Sequence, residues 1–176
     1  MKKWEIKKRE DVFKTPYFSV SKNHFSDSEG YQDDFYRFNF TDWVNIVPET
    51  ASGELVMIRI FRFGIEDYCL EFPGGQVEKG ADPLEAAKSE LFEETGYIAE
   101  EFRGTAWAYP NPAIQGNKCF FYHATMLEKK AEQNLEQAED ITVVYVHKNE
   151  IPSLIKQNKI TPGLSVLSYY YAMQLQ

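Results

Sequence analysis

"GGQVEKGADPLEAAKSELFEETGY", Gly74 to Tyr97, decides the fold. Its second half is punctuated as a helix. Asp82 is placed to cap the N-terminus, Pro83 suits the first turn, Glu85 completes a capping-box pattern, and Gly96 supplies the left-handed residue that stops the helix. At ~100° per residue, Leu84, Ala87 and Leu91 form one apolar stripe, with Glu90, Glu93 and Glu94 beside it in a sector roughly 100° wide. Like charges three and four apart repel, and the macrodipole disfavours anions at a helix C-terminus. No Lys or Arg follows one turn on. A solvated acidic face is the simplest account. A hard cation such as Mg²⁺ or Mn²⁺, which selects oxygen ligands, would offset both costs.

Around this helix the chain reads mostly as strands. "YFSVSKNHFS" (17–26), a turn at Asp27-Ser28-Glu29-Gly30 and "DDFYRFNF" (33–40) precede "DWVNIVPE" (42–49) and "ELVMIRIFRFG" (54–64). "YCLEFPGG" (68–75) leads into the glycine-rich loop. Beyond the helix come "GTAWAYPNP" (104–112), the polar loop "NPAIQGN" (111–117), "KCFFYHATML" (118–127) and "DITVVYVHK" (140–148). Two more helices are expected at 150–157 and 164–174. The fold class is therefore α/β. A strand-rich N-terminal extension over 1–46 is expected to precede the main domain, 47–176.

The 176 residues suffice for one substantial domain, and 43% apolar with 15% aromatic composition supports a real core. A formal charge of -8 argues against nucleic acid as the main ligand, because phosphate neutralisation needs clustered Lys and Arg. No signal peptide and no apolar run of membrane-spanning length is read. Cys69 and Cys119 lack metal-binding spacing and are expected as free thiols in a cytoplasmic protein. His24, His123 and His147 are scattered singly, at ordinary sheet or loop positions.

The 74–97 stretch resembles the box of the Nudix hydrolases: Gly, five residues, Glu, seven residues, Arg-Glu-apolar-x-Glu-Glu-x-Gly-apolar. Gly75, Glu90, Leu91, Glu93, Glu94, Gly96 and Tyr97 match. Ala81 stands where the pattern has Glu, and Ser89 where it has Arg. "VFKTPYFSV", "IRIFRFG", "LEFPGG", "YPNPAIQGNK" and "EDITVV" look like the branch that hydrolyses ADP-ribose and nucleoside-diphosphate sugars.

The resemblance implies an α/β/α sandwich with a mixed sheet and an N-terminal antiparallel β extension, in a homodimer. It implies metal-dependent cleavage of a pyrophosphate bond, giving a nucleoside monophosphate and a sugar phosphate. Turnover could be reduced by the two departures; a low-turnover nucleotide-sugar-binding domain or a hydrolase for another nucleotide are the alternatives. Mg²⁺ (or Mn²⁺) would be held by Glu90, Glu93, Glu94 and the Gly74 carbonyl, with Glu93 and Glu94 counted among the catalytic groups. Arg59 and Arg62 are placed to grip substrate, unless they are outward-facing strand arginines. Trp43 or Phe61 could stack on a base, unless it serves the core. The branch often carries an acidic base two residues before Glu139. That position is Gln137, which leaves Glu139 or Glu136 as substitutes. Ala81 and Ser89 read as the matched loss of one tie, so restoring Glu and Arg together is expected to show a coupling of about 0.5–3 kcal/mol.

Overall fold

A computed structural model describes residues 1–135 and 139–173. The chain forms two compact units. The first takes Met1–Thr41 together with Tyr109–Lys118. Within it β1 (Trp4–Lys14), β2 (Ser19–Asp27) and β3 (Gln32–Asn39) make one antiparallel sheet in that order. Asp27 closes the β2–β3 turn, its Oδ1 accepting the amides of Glu29 and Tyr31 at 2.8 and 2.9 Å. β1 was not anticipated: nearly all of it is exposed, so no apolar period marks it, and only pairing with β2 makes it a strand. The "NPAIQGN" loop belongs to this unit, where the Phe38 amide donates to Ile114 O at 2.8 Å.

The second unit begins at Asp42. The reason is β4 (Trp43–Pro48), which pairs in parallel with β8 (Cys119–Lys129) along its whole length. β7 (Tyr97–Ala108) completes that mixed sheet, antiparallel to β8. A second sheet orders β6 (Asp67–Glu71), β5 (Glu54–Arg62) and β9 (Ile141–His147), all antiparallel. Three helices follow the expected pattern: α1 (Pro83–Thr95), α2 (Ile151–Lys156) and α3 (Gly163–Met173).

β4 shows how the layers form. Val44 and Ile46 pack with Ala87 and Leu91 of α1, while Val47, on the opposite face, packs with Tyr169 and Ala172 of α3. A strand covered on both faces reads as a continuous apolar run, as "VNIVP" does apart from Asn45. β7 starts directly after the helix, earlier than the sequence suggested, because its first half is half-buried or exposed and carries "EEFR".

One histidine is not at an ordinary position. His123 on β8 is buried, its Nε2 2.9 Å from Glu49 Oε2, and Lys148 Nζ lies 2.7 Å from Glu49 Oε1. Arg103 Nη2 approaches His123 Nδ1 at 3.4 Å and also donates to the α3 carbonyl of Ala172 at 3.3 Å. Since arginine only donates, Nδ1 accepts and Nε2–H donates to Glu49. Burial, first of all, lowers the pKa of this imidazole, and Arg103 and Lys148 add to that against the pull of Glu49. Protonation therefore favours the unfolded chain. The stability tied to neutral His123 is complete above the imidazole's ordinary value of 6.5 and is lost as pH falls through the lowered folded value. Thermal melts between pH 7.5 and 5 should show Tm dropping in the wild type. The drop should be shallower in His123→Gln, whose amide can still donate to Glu49 without titrating.

Candidate active site

The site is built on the turn that follows β6. Asn45, buried on β4, donates its amide to the carbonyls of Phe72 and Pro73 at 3.1 and 3.3 Å. Its Oδ1 accepts from Ser168 on α3 at 2.5 Å, and Ser165 Oγ accepts the Phe72 amide at 3.1 Å. Backbone bonds from Ile46 to Pro73 O (2.8 Å) and from Val44 to Gly75 O (2.9 Å) lay the turn against β4. A Cβ on Gly74 would stand 2.2 Å from the Val44 carbonyl oxygen, so only glycine permits this approach. A Cβ on Gly75 would stand 2.0 Å from Glu90 Oε1, so the Glu90 carboxylate rests directly on the glycine floor.

α1 brings the acids to that floor. Asp82 caps it through Leu84 N at 2.9 Å, and Gly96 ends it at φ 73°. Glu85 differs from expectation: it pairs with Lys88 at 2.7 Å on the surface. Leu84 is only half-buried, whereas Ala87, Leu91, Glu94 and Thr95 are buried.

The three acids separate. Glu94 is buried, Glu90 half-buried and Glu93 exposed. The helical angles explain it: Glu94 points about 20° from Ala87, and Glu93 about 120° away. Glu94 Oε2 accepts the Gly74 amide at 2.9 Å. Burial above all pushes the Glu94 carboxyl well above the ordinary glutamate range; Glu90 and Glu139 add to this, while the Gly74 amide and the Arg62 guanidinium oppose it. Glu139 is half-buried just before β9. Glu136 and Gln137 lie outside the described residues. Among the described residues no three His, Cys, Asp or Glu side chains form a closed metal cage. Yet two carboxylates resting on a glycine floor supply the oxygen ligands that a divalent cation selects.

Ala81 and Ser89 are both exposed. A Glu–Arg tie there would be a surface pair, worth about 0.2–1 kcal/mol, so the coupling expected on restoring it falls to that scale.

The other anticipated residues are spread around the same unit. Arg62 is bidentate to buried Glu71, with Nε–Oε1 and Nη2–Oε2 both at 2.8 Å. Arg59 is exposed, its guanidinium 4.9 Å over the Tyr68 ring. Phe61 sits edge-on to Phe63 and Tyr68, with centroids 5.3 and 5.4 Å away. Trp43 is half-buried in β4, opposite Cys119 and bridged to Gln76.

The extension unit holds a feature that the sequence reading missed. A cavity of ≈ 380 Å³ is lined by Trp4, Phe25, Phe35, Tyr36, Arg37 and Gly116, among others. Among the described residues buried Arg37 Nε has no hydrogen-bond partner, and a Cβ on Gly116 would stand 2.5 Å from Arg37 Nη2. The aromatic spacing of "DDFYRF" was its only sequence trace.

Comparison with known proteins settles the family. Residues 39–164 match the NUDIX domain. The chain belongs to the Nudix family. This Nudix hydrolase is 30% identical over 134 residues to the methanol dehydrogenase activator of Bacillus methanolicus, covering 76% of this chain and 72% of the relative. It is 28% identical to the ADP-ribose pyrophosphatase of Bacillus subtilis (strain 168), over 73% of this chain and 70% of that one. A solved crystal structure of an ADP compounds hydrolase superposes with a TM-score of 0.88 at 24% identity, covering 98% of this chain and 94% of that one, and shares the fold.

The two floor glycines should fail differently. Gly74→Ala meets rigid backbone and should cost about 1–3 kcal/mol or more in urea unfolding. Gly75→Ala meets only the movable end of Glu90, so in the same urea unfolding it should lose less than about 1 kcal/mol.

Proposed function

We propose that this Nudix hydrolase cleaves the pyrophosphate of ADP-ribose or a related nucleoside-diphosphate sugar, releasing a nucleoside monophosphate and a sugar phosphate. The observation that carries the reading is the inward pair of Glu90 and Glu94 on the Gly74–Gly75 floor. The likeness to the Bacillus subtilis ADP-ribose pyrophosphatase supports the substrate class. So does 43% identity over 63 residues to the ADP-sugar pyrophosphatase of Mus musculus, although that match covers only 34% of this chain and 29% of the relative.

Glu90 and Glu94 would hold Mg²⁺ or Mn²⁺, with the Gly74 carbonyl completing the set and Glu93, turned to solvent, beside them. When bound, such a cation neutralises pyrophosphate charge and acidifies water. Glu139 takes the proton from the attacking water; the water oxygen bonds to phosphorus as the bond to the bridging oxygen breaks. In-line phosphoryl transfer of this kind needs mainly positioning and charge compensation. Arg59 grips the phosphates from its exposed place above Tyr68, because a guanidinium suits phosphate oxygens. Arg62, engaged by Glu71, holds positive charge near Glu94 and keeps little of its fork for substrate.

Half-buried Trp43 of β4 is the candidate to stack on the base. Exposed Trp4, Ile6, Val12, Phe13, Phe35 and Tyr36 make the extension sheet a fitting seam for a second copy, giving a homodimer. Two buried free cysteines, Cys69 and Cys119, accord with a reducing, cytoplasmic setting. Among the described residues no helix is long and apolar enough to cross a membrane.

The test is a panel of ADP-ribose, nucleoside-diphosphate sugars, dinucleotides and nucleoside triphosphates with Mg²⁺ or Mn²⁺, scored by nucleoside monophosphate release. ADP-ribose or a sugar nucleotide should give the highest kcat/KM. Glu94→Gln should cut turnover by at least about 10-fold, and Glu85→Gln, which loses only a surface pair, should leave it intact. Binding without turnover across the panel would replace this reading with that of a nucleotide-sugar-binding domain. Equal rates in Glu94→Gln and wild type would remove the metal assignment.

A further inference from the structure

Residues 130–134, which follow β8, are bonded to the end of α1. The amides of Lys130 and Ala131 donate to Gly96 O at 2.9 and 3.3 Å, and Asn134 N donates to Glu93 O at 2.8 Å. Gln133 adds a tie of another kind. Its Nε2 donates to Glu94 O at 2.6 Å and to Ile141 O at 3.4 Å. One side chain thereby joins the backbone of a site glutamate to the first residue of β9. Leu135, next along, packs on Ile58, Ile60 and Ile141.

The other end is also held. The Tyr68 hydroxyl donates to the Asp140 carboxylate. Tyr68 is itself kept in place by the Arg59 guanidinium above its ring and by Phe61 at 5.4 Å. In the chain Glu139 falls between Gln133 and Asp140, immediately before Asp140 and β9, and its charge acts on the Glu94 carboxyl.

The last carbonyls of a helix need donors from outside the helix, and water could satisfy Glu94 O. A glutamine is not required for that. What Gln133 adds is a second reach, across to β9, which fixes where the chain re-enters the sheet. Tyr68 is also more than the fold needs: a partly exposed phenylalanine would pack on Phe61 equally well, and only the hydroxyl reaches Asp140.

We propose that Gln133 and Tyr68 are positioning residues for the reaction, which together set the place of the Glu139 carboxylate relative to Glu90 and Glu94. The proposal rests on the reading of Glu139 as the group that takes the proton from water. A reacting group misplaced by about 1 Å can cost about 10²-fold in rate, so ties remote from the chemistry can control it. Neither side chain touches substrate; each acts through the backbone that bears Glu139.

Gln133→Leu and Tyr68→Phe preserve shape and remove only the polar ties. The full-length protein with ADP-ribose and Mg²⁺ is the system, and each change is made in the wild type and in Glu139→Gln. Each should lower kcat by about 10-fold in the wild type, the scale of lost supporting contacts, with KM moved by less than about 2-fold. In Glu139→Gln both should be nearly silent, since there is no longer a base to misplace. Hydrogen exchange, which needs no turnover, should quicken at the amides of residues 139–141 in Gln133→Leu while the rest of β9 stays protected. Equal losses of kcat in both backgrounds would mean a general structural role and would overturn the proposal alone. Unchanged kcat with unchanged exchange would also overturn it. A Glu139→Gln enzyme as fast as the wild type would overturn the reading of Glu139, and the proposal with it.

Discussion

The amide of Asn45 is the contact on which the site depends. A polar side chain on a strand buried from both faces would be a liability if unpaired, costing about 1–3 kcal/mol. Here it bonds the carbonyls of Phe72 and Pro73 and the hydroxyl of Ser168, so it joins α3, β4 and the turn after β6. The turn is thereby pressed so close to β4 that position 74 must be glycine. The Gly74 amide is then delivered to Glu94, and the Gly75 floor to Glu90. Scaffold and chemistry meet in a few residues.

The electrostatics follow from that placement. Glu94 is carried into the interior by the same helical phase that buries Ala87 and Leu91. Its own environment offers one amide and the partial help of Arg62, which is insufficient against burial and two neighbouring carboxylates. Ser89, where the box pattern has arginine, faces solvent, and the positive charge that acts on Glu94 is the Arg62 guanidinium.

The extension unit follows a different logic. Its sheet has little core of its own, and large aromatic side chains remain exposed along β1 and β3. Beside the cavity, Gly116 lets the loop backbone lie against the Arg37 guanidinium. These features come from segments far apart in the chain.

Sequence alone determined what local periodicity and capping can express. α1 was bounded by Asp82, Pro83 and Gly96; the buried strands showed as apolar runs; and the resemblance to the box singled out Glu90, Glu93 and Glu94 as candidates. Tertiary structure decided whatever depends on a partner. β1 and the first half of β7 carry too little burial to announce themselves, and become strands only by pairing. Glu93 parted from Glu94 because the core lies on one flank of the acidic sector, and a single helix cannot reveal which flank that is. Arg62 found Glu71, Arg59 found Tyr68 and Gln133 spanned α1 and β9 for a common reason. Long polar side chains have no period of their own, and their partners are chosen by where the folded backbone puts them.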